Sequence, residues 1–279
     1  MPNVDIHATI EQAKFPPSVW EYLDLLGEIL FSTQTVIQHY DENSLACTDH
    51  QKLIVMSINR DITTLISIYI LLRCELLHQA AAHVRLFCES VITHRFIERD
   101  VINRVPQFSD YAGIEAYELA KNALEWEEGR ASIAHAEKVR GLLTRLKPEY
   151  ETLKPRYSFT DKSGRTRPFT NWCNTPIARQ AAECGAHIKR LYSLVYSQLS
   201  SYVHGSAWSL RRQISYSKKH YDKDVVLSDI ATIIRTTSVV WEEWAKFCDE
   251  QLGCSLADHL PSLSSKLDSL DLKYFGVDK

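Results

Sequence analysis

The chain has 279 residues, 45% of them hydrophobic and 24% charged, which is enough to enclose a sizeable core. With 32 basic against 35 acidic residues the formal net charge is -3, so no global positive field draws nucleic acid to the whole surface, and any polyanion site has to be local. Seven scattered cysteines, an odd number with no C-x-x-C pair, read as reduced thiols, and the Met-Pro-Asn-Val-Asp start lacks the basic and apolar run of a signal peptide. A cytoplasmic protein is expected.

Nine glycines, nine prolines and few alternating apolar runs lack the pattern of a sheet protein, and an all-α helical bundle is expected. In chain order, Ser18-x-x-Glu21 after Pro16-Pro17 has the form of a capping box and predicts a helix to about His39. A second box, Thr48-x-x-Gln51, opens a long apolar stretch to about Asp100, which is two helices or one kinked between Arg73 and His78. Its most apolar part, Ile62 to Leu72, lies between Arg60-Asp61 and Arg73 and falls short of the roughly 20 residues that span a bilayer. No membrane partner is expected.

Helices follow over Ser109 to Trp126 and Ala131 to about Leu153, then a loop of about twenty residues marked by Pro155, Gly164 and Pro168. Thr175-Pro176 starts a long central helix, with proline at its first position, that ends near His204 before Gly205. The last strong helix spans about Ser228 to Leu252 and carries Trp241 and Trp244. The expected organisation is an N-terminal helical extension over 1–47, a bundle over 48–252 and a tail over 253–279 that is a docking segment or partly disordered. From Lys138 to Arg167 nine basic residues face three acidic ones, after an acidic segment holding Glu115, Glu118, Glu125, Glu127 and Glu128. Either two helix faces attract each other, or the basic segment is a local phosphate-binding strip.

Two polar islands stand out. From Leu191 to Leu210 there is no charge, but there are six serines, three tyrosines and a histidine, which places this helix centrally in the bundle. Its apolar stripe is Ile177, Ala181, Cys184, Ile188, Leu191, Val195 and Leu199; a second stripe, Tyr192, Tyr196, Ser200 and His204, advances strictly by four. The other island, Leu76 to Thr93, has only Arg85 and Glu89 as charged side chains, one turn apart. If the two helices cross, the islands form one pocket, with His204 as general acid or base, Ser200 or Tyr196 orienting it and Arg85 holding an anion. The alternatives are a histidine that caps its own helix and an Arg85–Glu89 structural ion pair. No G-x-S-x-G elbow, phosphate-binding glycine loop or His-Glu-x-x-His occurs, and although Glu183 and His187 are four apart, neither metal nor cofactor is expected.

The run Trp172, Thr175-Pro176-Ile177-Ala178-Arg179, Tyr192-x-x-x-Tyr196 and Leu199-Ser-Ser-Tyr-Val-His-Gly-Ser206 resembles a bacterial family catalogued as domain of unknown function 5677, as does Arg85-x-x-x-Glu89. The resemblance covers about Leu53 to Trp208. More distantly, the chain is similar to the HEPN superfamily, helical bundles whose active members are metal-independent endoribonucleases in toxin and phage-defence systems and commonly form homodimers with a composite site. That resemblance implies RNA as substrate, with His204 catalytic alongside Ser200, Arg85 and Glu89, and Tyr192, Tyr196 and Arg211 binding substrate. Those enzymes carry an arginine upstream of the histidine with four to six residues between the two; here Ser197, Gln198 and Leu199 stand there, so Arg85 or Arg211 would have to supply the cation. The competing expectation is a non-catalytic module that senses a ligand or binds a protein partner through the same polar residues. A third is a set of satisfied core networks.

Overall fold

The computed structural model describes residues 15–41, 48–127, 133–203 and 223–276. In order they form α1 (Pro17–Asp41), α2 (Asp49–Arg73), α3 (Leu77–Glu98), α4 (Val101–Glu127), α5 (Ile133–Leu153), β1 (Ser158–Thr160), β2 (Thr166–Pro168), α6 (Ile177–Glu183), α7 (Ala186–Leu191), a π-turn (Tyr192–Tyr196), α8 (Ser197–Val203), α9 (Lys223–Leu252), a 3₁₀ turn (Leu256–His259) and α10 (Leu260–Phe275). The bundle is all-α apart from one small hairpin among the described residues. Two compact units result: residues 1–96 with 181–279, and residues 97–180.

Local chemistry explains most boundaries. Both halves of the Thr48 capping box form: the Gln51 amide N–H donates to Thr48 Oγ1, and Thr48 N–H donates to Gln51 Oε1. The long apolar stretch is two helices because Glu75 turns left-handed at φ 59° and the Cys74 N–H closes the end of α2 on the Ile70 carbonyl. Ser18 is not a cap: α1 already begins at Pro17, whose missing N–H costs nothing in a first turn. α4 starts at Val101, eight residues before the expected Ser109, and runs through Pro106. The carbonyl that Pro106 leaves without an N–H belongs to Ile102, an exposed residue that water can reach.

In the first unit, α1 is packed against α2, α9 and α10. The sequence places Trp241 and Trp244 on the last strong helix, where an interface would be one use for them, but both are core residues. Trp241 Nε1 donates to Thr33 Oγ1 of α1 at 2.8 Å and Trp244 Nε1 donates to Asp61 Oδ2 of α2 at 3.0 Å. The segment after Cys254 is a helix rather than a loose tail. Asp249 turns the chain by accepting from the Leu256 and Ala257 N–H groups, and Asp271 of α10 accepts two hydrogen bonds from Arg235 and one from Tyr22.

Among the described residues, His50 to Arg73 of α2 is the one helix long and apolar enough to cross a membrane by length and composition. Its stripe of Ile54, Ile58, Ile62, Leu65, Ile68 and Leu72 is buried in the first unit. Asp61, taken from sequence as the polar boundary of that stretch, lies three after Ile58 and four before Leu65 on the same stripe and is 1% exposed. Its Oδ1 accepts from Ser90 Oγ at 2.7 Å, and Arg60 donates to the same Ser90 oxygen. His94 Nδ1 lies 3.9 Å from Asp61 Oδ2 without a hydrogen bond, and its ring stacks on Phe247.

The second unit is the α4–α5 pair with the hairpin. Gly113 lets α5 come close, since a Cβ there would stand 2.9 Å from Glu149 Oε1 and 3.2 Å from Leu153. Tyr117 and Tyr150 stack at 3.9 Å, and Tyr150 donates to Glu118. The expected long loop contains the antiparallel pairing Ser158↔Pro168, Phe159↔Arg167 and Thr160↔Thr166. Its turn is built on Asp161, which accepts from the Ser163 and Arg165 N–H groups and from Arg167, with Gly164 at φ 79°.

Burial pushes the Asp61 carboxyl up to about 6, against the pull of Ser90, Arg60 and Trp244, and burial with the charges of Arg60 and His50 pushes His94 down to about 3. Folded Asp61 holds its proton more tightly than the unfolded chain does, so its contribution to stability is complete below its ordinary 3.8 and is lost as pH rises through about 6. His94 has the opposite sign: its contribution is present above 6.5 and is lost as pH falls toward about 3. Between pH 4 and 6 the two slopes oppose each other. Asp61→Asn should leave the His94 slope alone, so that stability falls by ~1.4 kcal/mol per unit of acidification over this window, while wild type stays flatter. Urea unfolding at pH 4, 5 and 6 checks this, and equal slopes would refute it.

Candidate functional site

The expected central helix is not continuous. Pro176 stands just before α6 and its carbonyl accepts from Arg179 and Gln180. Gly185, at φ 104°, then separates α6 from α7, and the chain continues through a π-turn into α8. The break also disposes of the Glu183–His187 pairing, because His187 reaches Glu243 of α9 at 2.8 Å instead. Among the described residues no group of three His, Cys, Asp or Glu side chains could hold a metal ion.

Of the expected apolar stripe, Ala181, Ile188, Leu191, Val195 and Leu199 are buried, while Ile177 and Cys184 are half-buried. The expectation that a helix without charge is packed on most sides fails. Ser193, Leu194, Ser197 and Gln198 form an exposed outer face, Leu194 being 50% exposed. Short hydroxyl side chains make this possible without charge, since Ser193 and Ser197 donate to the carbonyls of Lys189 and Ser193.

The two polar islands do meet. Arg85 of α3 donates from Nη2 to the Tyr196 hydroxyl at 2.6 Å and from Nε to Ser200 Oγ at 3.0 Å, and its guanidinium lies 4.5 Å from the centre of the Tyr196 ring. Ser200 in turn donates to the Tyr196 carbonyl at 2.7 Å, so its proton is committed and its oxygen faces Arg85. Tyr192 stacks on Tyr196 at 5.2 Å. The π-turn from Tyr192 to Tyr196, whose last bond runs from the Ser197 N–H to the Tyr192 carbonyl, inserts one extra residue and sets the direction in which Tyr196 and Ser200 point. Such turns recur at functional sites.

Glu89 is less tightly engaged. Its carboxylate is 3.9 Å from Arg85 Nη2, and the two side chains are 43% and 15% exposed, so this is not a buried ion pair. The Arg85 fork is directed to the tyrosine and serine; two of its five N–H groups are used by hydrogen bonds among the described residues. Burial, with the Glu89 charge next, raises the Tyr196 hydroxyl above its ordinary value, and burial pushes the neighbouring Cys88 thiol up to about 12, which makes it inert as a nucleophile. His204 and Arg211 lie outside the described residues. The described parts of the islands touch directly; a groove of about 380 Å³ is lined by Asn59, Arg60, Thr63, Thr64, Ser67 and His83.

Sequence reasoning missed the Asp61–Ser90–Arg60 cluster, although the spacing of Asp61 within the isoleucine stripe carried the signal. The Trp172 to Thr175 run, which carries part of the family resemblance, is structural. In the structure Trp172 is buried edge-on against Phe108, and Asn171 builds the turn by accepting from the Thr175 N–H and donating to the Thr175 carbonyl.

The structure thus defines an all-α bundle protein whose candidate site is an arginine held by a tyrosine and a serine from a π-distorted helix. The chain belongs to the Family of unknown function (DUF5677), which matches residues 51–222. That span holds both islands. Comparison with curated proteins and with solved structures gives no match.

The geometry ranks the site residues by substitution. Arg85→Met keeps the stem but strips the donors from two partly buried hydroxyls and should cost about 1–3 kcal/mol. Glu89→Gln should stay within about 0.5 kcal/mol, as expected for a long, half-exposed pair. Chemical denaturation of the two variants beside wild type checks the order, and a larger loss in Glu89→Gln would overturn it.

Proposed function

We propose that this protein is a HEPN-like, metal-independent endoribonuclease, acting as a toxin-type effector in bacterial phage defence or stress response. The observation that carries this is the hydrogen bond from Arg85 Nε to Ser200 Oγ. The departure from the HEPN pattern was the missing arginine in the turns before His204; Ser200 stands four residues before His204, and a guanidinium from α3 is bonded to it. The fold therefore supports a cation supplied from another helix.

In this scheme the ribose 2′-oxygen attacks phosphorus while the bond to the 5′-oxygen breaks, leaving a 2′,3′-cyclic phosphate and a 5′-hydroxyl. His204 takes the 2′ proton or gives one to the leaving oxygen. Arg85, with the Tyr196 hydroxyl beside it, stabilises the charge that develops on the phosphoryl oxygens. Ser200 and Tyr192 position these two, Glu89 exchanges the second proton, and Arg211 binds substrate. The uncharged outer face of Ser193, Leu194, Ser197 and Gln198 fits a homodimer that completes the site from two copies.

One observation favours a second reading. The Ser200 proton is tied to the Tyr196 carbonyl and Arg85 is only 15% exposed, as in a polar lock that holds the helices of a ligand-sensing or protein-binding module. The two separate in one experiment. Unstructured RNA incubated in chelator with wild type, Arg85→Ala and His204→Ala should be cut by wild type alone, with cyclic phosphate ends and at least a 100-fold loss in each variant. No cleavage by wild type, or equal cleavage by all three, would leave the lock as the better description.

A further inference from the structure

We infer that the second unit carries a docking surface for single-stranded RNA, formed by Arg140 and Lys147 of α5, Lys154 at its C-terminal end, and the outer face of the hairpin. It lies on residues other than those of the proposed catalytic site.

The charge excess from Lys138 to Arg167 had two readings, and the structure distinguishes them. If the acidic helix served to neutralise the basic one, ion pairs would join α4 to α5. The two helices do pack together, yet Glu118 meets α5 through the Tyr150 hydroxyl rather than a cation, and Glu125 pairs with Lys121 of its own helix. Of the nine basic residues only Arg156, with Asp110, and Arg167, with Asp161, form ion pairs among the described residues. Arg140, Lys147, Lys154, Lys162 and Arg165 are all exposed.

Their arrangement is linear. Residues seven apart on an α-helix are about 10 Å apart and nearly aligned, and the N–H of Lys154, just past α5, still bonds to the Tyr150 carbonyl, so Arg140, Lys147 and Lys154 form one line about 20 Å long. Glu137, three before Arg140, and Glu151, between Lys147 and Lys154, are the acidic residues beside it, so the three cations leave the line with a net charge of +1. The line ends where the chain enters the hairpin. There the next strand presents Phe159, 37% exposed and directly opposite Arg167 in the ladder, with Lys162 and Arg165 in the turn. Phe159 is backed by Phe169 at 6.4 Å, so the ring is supported from behind. A row of cations leading to a supported aromatic ring is how sequence-tolerant proteins bind single strands: the charges follow the phosphates and a base stacks on the ring. A duplex offers no free base face to Phe159, and an acidic peptide would use the charges alone.

The test uses the full chain and a fluorescein-labelled unstructured 20-nucleotide RNA, with binding read by anisotropy in chelator from 50 to 300 mM salt. The Arg85→Ala background keeps the probe intact, so a failure of the cleavage reading and a failure of this one give separate results. Arg140→Gln/Lys147→Gln/Lys154→Gln should weaken binding at least tenfold and lower the slope of log K against log salt by about 2, at roughly 0.7 per phosphate contact on a single strand. Phe159→Leu, which keeps an apolar residue on the hairpin, should weaken binding about fivefold or more with no change in that slope. Thermal melting of each variant confirms that it is folded. The inference is overturned if the Arg85→Ala parent does not bind at 50 mM salt or if the triple variant in that background binds as the parent does. It is equally overturned if Phe159→Leu is unchanged, or if a duplex of the same length binds as tightly as the single strand.

Discussion

Two indole N–H groups buried in α9 need acceptors, and where those acceptors sit sets the frame of the first unit. Trp241 finds Thr33 on α1 and Trp244 finds Asp61 on α2, so one helix is pinned to two others by directional bonds as well as by apolar contact. Asp61 passes the constraint on. Its second oxygen accepts from Ser90 of α3, and five residues before Ser90 on that helix is Arg85. Because both residues sit on α3, the position of the Arg85 guanidinium is tied through Ser90, Asp61 and Trp244 to the centre of the core.

This dependence explains why an ionisable group is kept in so apolar a place. A buried carboxylate is costly, and its raised proton affinity is the measure of that cost. What it provides is specificity of arrangement: Asp61 can receive Ser90 and Trp244 at once, which no aliphatic side chain at that position could do. The Arg60 guanidinium, bonded to Ser90 from the solvent side, closes the same cluster at the surface.

Much of the fold was legible because it follows from local rules. The Thr48 box, the division of the long apolar stretch near Arg73 and the buried stripe from Ala181 to Leu199 rest on capping chemistry and helical period, which act over a few residues. The meeting of Arg85 with Tyr196 and Ser200 was legible for a different reason, since polar residues isolated in apolar helices must find one another or a ligand. What sequence did not show was set by tertiary context. Pro106 sits inside α4 because its orphaned carbonyl reaches solvent, the hairpin is held by Asp161 side-chain bonds rather than by an alternating apolar run, and the tryptophans of α9 face inward because Thr33 and Asp61 are there to receive them. The π-turn had no signature in residue type.

That π-turn makes chain length, rather than residue identity, the quantity under constraint between Leu191 and Ser200. One residue corresponds to about 100° of helical rotation, so losing a single residue from the turn would restore a regular α-helix and swing Ser200 to another side of it. The buried stripe beyond the turn, including Leu199, would be displaced with it. Substitutions at the exposed Ser193 and Leu194 can therefore vary in chemistry while insertions and deletions cannot, and relatives that share the Arg85 contact should preserve this spacing to the residue.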